Sequence, residues 1–136
     1  MNSLKLWLTL RVHGRTAYEV HINRQIQLAE WFAQQISNSS HFELFAPPML
    51  PIFNLRLKRE SLDKEQVTQQ LHAVVDAVTG DGKRWISTTA VNGHTVIRVM
   101  IISYLTEQRH LEELLDRLHQ AAERLGAHSS RRAPAV

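Results

Sequence analysis

The dipeptide Asn92-Gly93 separates two segments with the composition of β-strands, Trp85 to Ala90 and Thr95 to Ser103. Both central residues of a type I′ turn need a positive φ, which asparagine and glycine adopt at the lowest cost. The dipeptide therefore predicts a β-hairpin. Two earlier strands are predicted at Phe42 to Phe45 and at Ile52 to Leu57, where apolar and polar residues alternate in the second.

Three longer segments have the apolar period of an amphipathic helix. The first runs from Arg15 to about Ser37, and the second from about Asp63 to Val78, with Asp63 as the N-cap and Gln66 in the capping-box position. The third runs from about Thr106 to Leu125 and is expected to end at Gly126. Residues 126–136 are small and polar, so we expect them to form a flexible tail.

The segment from Leu4 to His13 fits two interpretations. Its apolar residues fit a helix that is apolar nearly all round, but the alternation from Leu6 to Val12 also fits a strand. A helix is favoured because residues 5–8 lack β-branched side chains, and Gly14 ends it. The element order is then α-α-β-β-α-β-β-α. This order predicts an α+β fold with a small four-stranded sheet, antiparallel or mixed, and helices on one face.

Composition is typical of a single globular domain. The chain has 136 residues, of which 43% are hydrophobic and 21% charged, and it has no cysteine for a disulfide or a thiolate metal site. No apolar run approaches the roughly 18 residues that span a bilayer, and the first residues lack a signal-peptide pattern. We therefore expect a cytoplasmic location and no membrane partner. The net charge of +3 comes from scattered basic residues, which favours a solvated surface over a nucleic-acid-binding face.

Few residues of the sequence suggest a catalytic or ligand-binding role. None of the eight histidines pairs with another at a spacing of four on a predicted helix, so no metal site is predicted. No motif for a nucleophile or for phosphate binding occurs, so no catalytic residue is assigned. Arg98 lies inside an apolar run and shares a strand face with Val96 and Met100. Either this face is exposed, or Arg98 meets a carboxylate or a phosphate.

The segment from Leu4 to Gly14 resembles the LKxWxxxRxxG segment of the group II pyridoxal-phosphate-dependent amino-acid decarboxylases, which include the aromatic-L-amino-acid and tyrosine decarboxylases. The likeness continues through Tyr18 to Phe32, Pro51 to Leu57 and Ile97 to Ile101. In that family a preceding large domain holds the cofactor lysine directly after a histidine. No lysine here follows a histidine. The resemblance therefore implies that residues 3–125 correspond only to the small C-terminal domain.

The resemblance also implies a function and partners. The full-length enzyme would remove CO₂ from an amino acid with pyridoxal phosphate as its cofactor, whereas this chain alone would bind none and be inactive. The implied partner is the large domain. The apolar residues that ring the segment from Leu4 to Val12 separately predict a homodimer, because packing on one sheet face cannot cover a helix that is apolar all round. Trp7, Arg11, His13 and Arg98 are implied to be interdomain or structural residues. The alternative is a free-standing α+β binding or regulatory module, including one that binds nucleic acid.

Overall fold

The computed structural model describes residues 2–48, 50–58 and 62–130, with residues 128–130 described by their backbone alone. The elements in this part of the chain are α1 (Asn2–Ser37), β1 (Phe42–Leu44), β2 (Ile52–Leu57), α2 (Lys64–Thr79), β3 (Ser87–Val91), β4 (His94–Met100) and α3 (Gln108–Ser130). Gly14 has a φ of 75° and a ψ of 170°, which breaks α1 into two helical parts, residues 2–13 and 15–37. The predicted α+β class and element order are confirmed, and residues 2–13 form a helix.

The four strands form one antiparallel sheet in the order β1-β2-β4-β3. Asn92 and Gly93 have φ values of 50° and 75° and connect β3 to β4, which confirms the predicted hairpin. β2 and β4 are central and pair with Phe53 opposite Val99 and Asn54 opposite Arg98. The sheet is therefore wholly antiparallel rather than mixed.

The hydrophobic core lies between one face of the sheet and the helices. Alternate residues of the central strands reach it together with residues of α1, α2 and α3, including Phe32, Ile36, Phe53, Leu55, Leu71, Val74, Ile97, Val99, Leu114 and Leu118. Phe32 of α1 and Phe53 of β2 are fully buried, with their ring centroids 5.2 Å apart. The other alternate residues form the opposite face, here called the outer face, and include Ile52, Asn54, Arg56, Val96, Arg98 and Met100.

The predicted start of α2 is confirmed. The Asp63 carboxylate accepts a hydrogen bond from the Gln66 N–H at 2.8 Å, and the Gln66 side chain accepts one from the Asp63 N–H at 3.2 Å. This reciprocal capping box satisfies two backbone donors that the helix itself leaves unpaired.

Some predicted boundaries of α3, β3 and β4 were wrong. α3 begins at Gln108 and continues through Gly126 to Ser130, because a helical glycine costs only about 1 kcal/mol relative to alanine. β3 begins at Ser87 rather than Trp85. β4 ends at Met100, opposite Ile52. Pro51, which precedes Ile52, has no N–H to donate, so beyond this pair only its carbonyl oxygen takes part, as the acceptor for the Ile101 N–H at 2.8 Å. Residues 131–136 of the predicted tail lie outside the described residues.

Candidate docking surfaces

Residues 2–13 of α1, here called the first segment, expose apolar side chains all round the helix. The exposed fractions range from 41% at Leu10 to 74% at Val12. The exposed apolar residues are Leu4, Leu6, Trp7, Leu8, Leu10 and Val12. A helix that is apolar all round is typical of a buried element, and an exposed patch of this kind marks a docking surface.

Three of the four sequence-predicted site residues lie on the first segment. The guanidinium carbon of Arg11 lies 5.7 Å from the centroid of the Trp7 ring, which is a cation–π contact. His13 lines a shallow cavity beside His21 and Tyr104. The rings of His21 and Tyr104 meet edge to face, with centroids 6.3 Å apart. The cavity therefore lies between α1 and the loop that follows β4.

The fourth predicted residue, Arg98, lies on the outer face of the sheet, opposite Asn54. Arg98 is half-buried and its neighbour Val96 on the same strand is fully buried, so the face is only partly exposed. Arg98 Nε and Asn54 Oδ1 are both shielded from solvent, and neither has a hydrogen-bond partner among the described residues. The structure thus places Arg98 on a different element from the other three predicted residues.

The other arginine of the outer face already has a carboxylate partner. Glu43 of β1 lies opposite Arg56 of β2, and Arg56 Nε donates to Glu43 Oε1 at 2.6 Å. The Arg56 guanidinium also lies 6.0 Å from the centroid of the Phe45 ring. Glu43 is therefore paired with Arg56, and Arg98 makes no salt bridge with a described residue.

Sequence reasoning missed a buried polar junction between α3 and the turn after α1. Ser39 is buried, and its Oγ lies 2.9 Å from His119 Nε2. Ser39 Oγ also accepts hydrogen bonds from the N–H groups of His41 and Phe42, each at 3.2 Å. The one hydroxyl proton is therefore donated to His119 Nε2, which assigns the neutral tautomer to His119. Burial lowers the pKa of His119, and the nearby His41 lowers it further.

Comparison with known proteins shows what the chain is similar to. A profile described as "Pyridoxal-dependent decarboxylase conserved domain" matches residues 1–58. Tryptophan decarboxylase 2 of Oryza sativa subsp. japonica is 34% identical over 110 residues, which cover 81% of this chain. The chain is homologous to a part of the pyridoxal-dependent decarboxylases. The resemblance inferred from Leu4 to Gly14 is thereby confirmed.

The similarity extends over nearly the whole chain but over only a part of each relative. Phenylacetaldehyde synthase of Arabidopsis thaliana is 33% identical over 82% of this decarboxylase-related chain. The crystal structure of Catharanthus roseus tryptophan decarboxylase in complex with L-tryptophan superposes with a TM-score of 0.79 at 28% identity, and the match covers 90% of this chain. The chain spans 23% of the first relative's length and 26% of the second's.

The described residues do not fit a pyridoxal phosphate site. Such a site needs a lysine inside an enclosing pocket. The four lysines, Lys5, Lys58, Lys64 and Lys83, are all exposed on this decarboxylase-related chain. Lys58 Nζ donates to the carbonyl oxygen of Ser39 at 2.7 Å, which is a structural contact. Within the described ranges no three histidine or acidic side chains could together hold a metal ion, and no helix is long and apolar enough to cross a membrane.

Proposed function

We propose that this chain is the small C-terminal domain of a pyridoxal-phosphate-dependent decarboxylase that removes CO₂ from an aromatic L-amino acid. One observation carries the proposal. The match to Catharanthus roseus tryptophan decarboxylase covers 90% of this chain and only 26% of that protein, at a TM-score of 0.79. The names of the relatives, tryptophan and tyrosine decarboxylases among them, support an aromatic substrate. Residues 3–125 are the proposed domain.

The proposed role of the chain is to dock onto a larger cofactor-binding portion. The first segment and the outer face are the two surfaces that support this role. Burying the apolar side chains of the first segment is favourable by about 25 cal/mol per Å² of area removed from water. The outer face carries Arg98, which is half-buried, among the polar side chains of the sheet. Together they supply both the hydrophobic contact and the polar specificity that stable interfaces use.

Catalysis is proposed to depend on that larger portion. The exposed positions of Lys5, Lys58, Lys64 and Lys83 support the proposal that the chain alone is inactive and that the cofactor belongs to the full-length enzyme. In this proposal Trp7, Arg11, His13 and Arg98 serve at contacts between domains rather than in the reaction itself. The cytoplasmic location stays a prediction from the sequence.

A homodimer is proposed as the second partnership. The six apolar side chains of the first segment ring the helix, so a single docking surface cannot cover all of them. A two-fold dimer is the commonest assembly that buries such a patch. Association costs about 4–15 kcal/mol in lost translational and rotational freedom. The free energy gained by burying apolar area has to exceed this cost.

A chimera tests the proposed function. The matching quarter of rice tryptophan decarboxylase 2 is replaced with this chain, and the release of CO₂ from L-tryptophan is measured. We expect the chimera to be active, and the rice protein truncated before this quarter to be inactive. A folded chimera that is no more active than the truncated protein would contradict the proposal.

A matched pair of variants locates the docking surface within the chimera. Leu6 on the first segment is 55% exposed, and Val20 on the second part of α1 is 65% exposed. We expect Leu6→Glu to abolish most of the activity and Val20→Glu to leave it within about twofold, because a buried unpaired charge is costly and an exposed one is not. Retardation of nucleic acid by the chain alone, weakening steeply with salt, would instead support a binding module.

A further inference from the structure

We propose that a cavity at one end of the sheet binds a small aromatic carboxylate. The cavity has a volume of about 600 Å³, which lies within the range of small-molecule sites. Residues of β1, β2, β4 and α2 line it, so this chain forms the cavity by itself. The site is therefore present in the chain alone, whatever the chain docks onto.

The cavity lies where the two central strands stop pairing. β2 and β4 both continue past their last pair at this end, which is Leu55 opposite Ile97. The four residues that would extend the ladder line the cavity instead: Arg56, Leu57, Thr95 and Val96. The strands therefore leave a gap that their own backbones do not fill.

The charged side chains of the cavity favour an anion. Arg56 Nε donates to Glu43 Oε1 at 2.6 Å, whereas the two terminal nitrogens of Arg56 have no hydrogen-bond partner among the described residues. The Arg56 side chain is 52% exposed, so a ligand can reach these nitrogens. Lys58, which donates to the carbonyl oxygen of Ser39, adds a further positive charge. A carboxylate suits this place because its two oxygens match the N–H groups of a guanidinium.

The apolar side chains of the cavity favour a ligand with a ring. Phe45 is half-buried, and its ring centroid lies 5.9 Å from that of His94. Both rings line the cavity together with Val67, and aromatic pairs are favourable at centroid separations of about 4.5–7 Å. The Arg56 guanidinium lies 6.0 Å from the Phe45 centroid. A ring packed against Phe45 therefore brings a carboxylate on a short chain within reach of Arg56.

A cationic ligand is disfavoured at the same place. The Arg56 guanidinium already lies beside the Phe45 ring, and the Glu43 carboxylate is paired with Arg56. An added cation would be repelled by Arg56 and Lys58 without a free carboxylate to balance it. The site should therefore distinguish a carboxylate from an amine that carries the same ring.

An NMR titration of the intact 136-residue chain tests the site. Backbone amide signals are followed during addition of 3-phenylpropionate, which joins a phenyl ring to a carboxylate. Sodium acetate provides the carboxylate alone, and 3-phenylpropylamine provides the ring with an ammonium group, all at one ionic strength. We expect 3-phenylpropionate to shift the signals of residues 56–58 and 94–96, and to bind at least about fivefold more tightly than either comparison compound.

Variants with a matched control locate the two halves of the ligand. Arg56→Gln removes the guanidinium, so we expect the affinity for 3-phenylpropionate to fall at least about fivefold. Arg15→Gln is the control, because Arg15 Nε makes the same kind of pair with Glu19 Oε1, at 2.7 Å on exposed α1. It removes an equal charge outside the cavity and should change the affinity by less than about twofold. Phe45→Leu should weaken binding of 3-phenylpropionate and leave that of acetate unchanged.

The proposal has clear contrary outcomes. It would be overturned if 3-phenylpropionate caused no shifts in residues 56–58 and 94–96, or if acetate or 3-phenylpropylamine bound as tightly. Equal losses of affinity in Arg56→Gln and Arg15→Gln would also overturn it. Preferential binding of 3-phenylpropionate that requires Arg56 and Phe45 supports it. The activity of the decarboxylase chimera tests the proposed function separately from this site.

Discussion

The Nε2 atom of His119 lies 2.9 Å from the hydroxyl oxygen of Ser39, which connects α3 to the turn between α1 and β1. The ring of His41 lies 5.9 Å from that of His119. Burial and His41 lower the pKa of His119, while Asp116 and Glu123 on α3 act in the opposite direction. Protonation would turn Nε2 into a donor facing a hydroxyl oxygen that already accepts two N–H groups.

The first prediction concerns the pH dependence of stability. The pKa of His119 is below its ordinary value in the folded chain and returns to it on unfolding, so the unfolded chain binds this proton more readily. We expect the free energy of unfolding to be at its full value above about pH 6.5 and to fall as the pH drops below it. Urea unfolding at about pH 7.5 and 5.5 measures this loss. His119→Gln should reduce it, whereas His72→Gln, exposed on α2, should not.

The second prediction separates the core from the first segment. Phe32→Ala removes a fully buried ring that packs 5.2 Å from Phe53, so we expect a loss of about 3–5 kcal/mol in the free energy of unfolding. Leu6→Ala removes a side chain that is 55% exposed, and the change should stay within about 0.5 kcal/mol. Chemical denaturation of the dilute, monomeric chain measures both. A loss of several kcal/mol for Leu6→Ala would show that the first segment belongs to the core.

A third prediction concerns the hairpin turn. Gly93 has a φ of 75°, and an alanine there would pay about 1–2 kcal/mol for the left-handed conformation, so Gly93→Ala should destabilise the chain by that amount. A Cβ at this position would meet only Lys64 Nζ, at 4.0 Å, so a steric clash does not contribute. Asn92→Gly is the control, because glycine also accepts a positive φ. Equal stability of Gly93→Ala and the unmodified chain would contradict the type I′ turn.

The chain alone should form no selective covalent adduct with pyridoxal phosphate. Its lysines are exposed, and an exposed amine lacks the surroundings that favour and retain such an adduct. After incubation with pyridoxal phosphate and reduction with borohydride, peptide mass spectrometry should find no lysine labelled stoichiometrically. Complete labelling of one lysine, with the other three unmodified, would refute this prediction.

Self-association should depend on the first segment. We expect the chain to form a dimer at tens of micromolar. The free energy gained by burying apolar area in the interface would then offset the cost of association. The double variant Trp7→Glu, Leu10→Glu should be monomeric, because it places charges in the dry interface. Val20→Glu, exposed on the second part of α1, is the control. Sedimentation velocity decides, and a dimer that persists in the double variant would place the interface elsewhere.

Local signals predicted most of the secondary structure. The capping pair Asp63 and Gln66 located the start of α2, and Asn92-Gly93 located the hairpin, because each feature acts within a few residues. The alternation in Ile52 to Leu57 also predicted which side chains are buried. The end of α3 was missed because packing of the helix outweighs the weak preference of Gly126 to end it.

Contacts between distant residues could not be predicted in the same way. The strand order places β2 beside β4, which makes Asn54 the neighbour of Arg98, and no local pattern specifies this pairing. Ser39 and His119 are 80 residues apart and looked unremarkable in the sequence. Arg98 alone gave a signal, as a charge inside an apolar run, but its shielded Nε became evident only with the sheet in place.

Alternate residues of β4 belong to opposite faces of the sheet. Ile97 and Val99 hold the core, while Val96 and Arg98 belong to the opposite face. A substitution alters a side chain on one face and leaves the other face unchanged. The deletion of one residue would instead move the side chains on one side of it to the opposite face. The guanidinium would then enter the core as an aliphatic side chain left it. We therefore expect descendants of this sequence to vary β4 by replacement and to preserve its length.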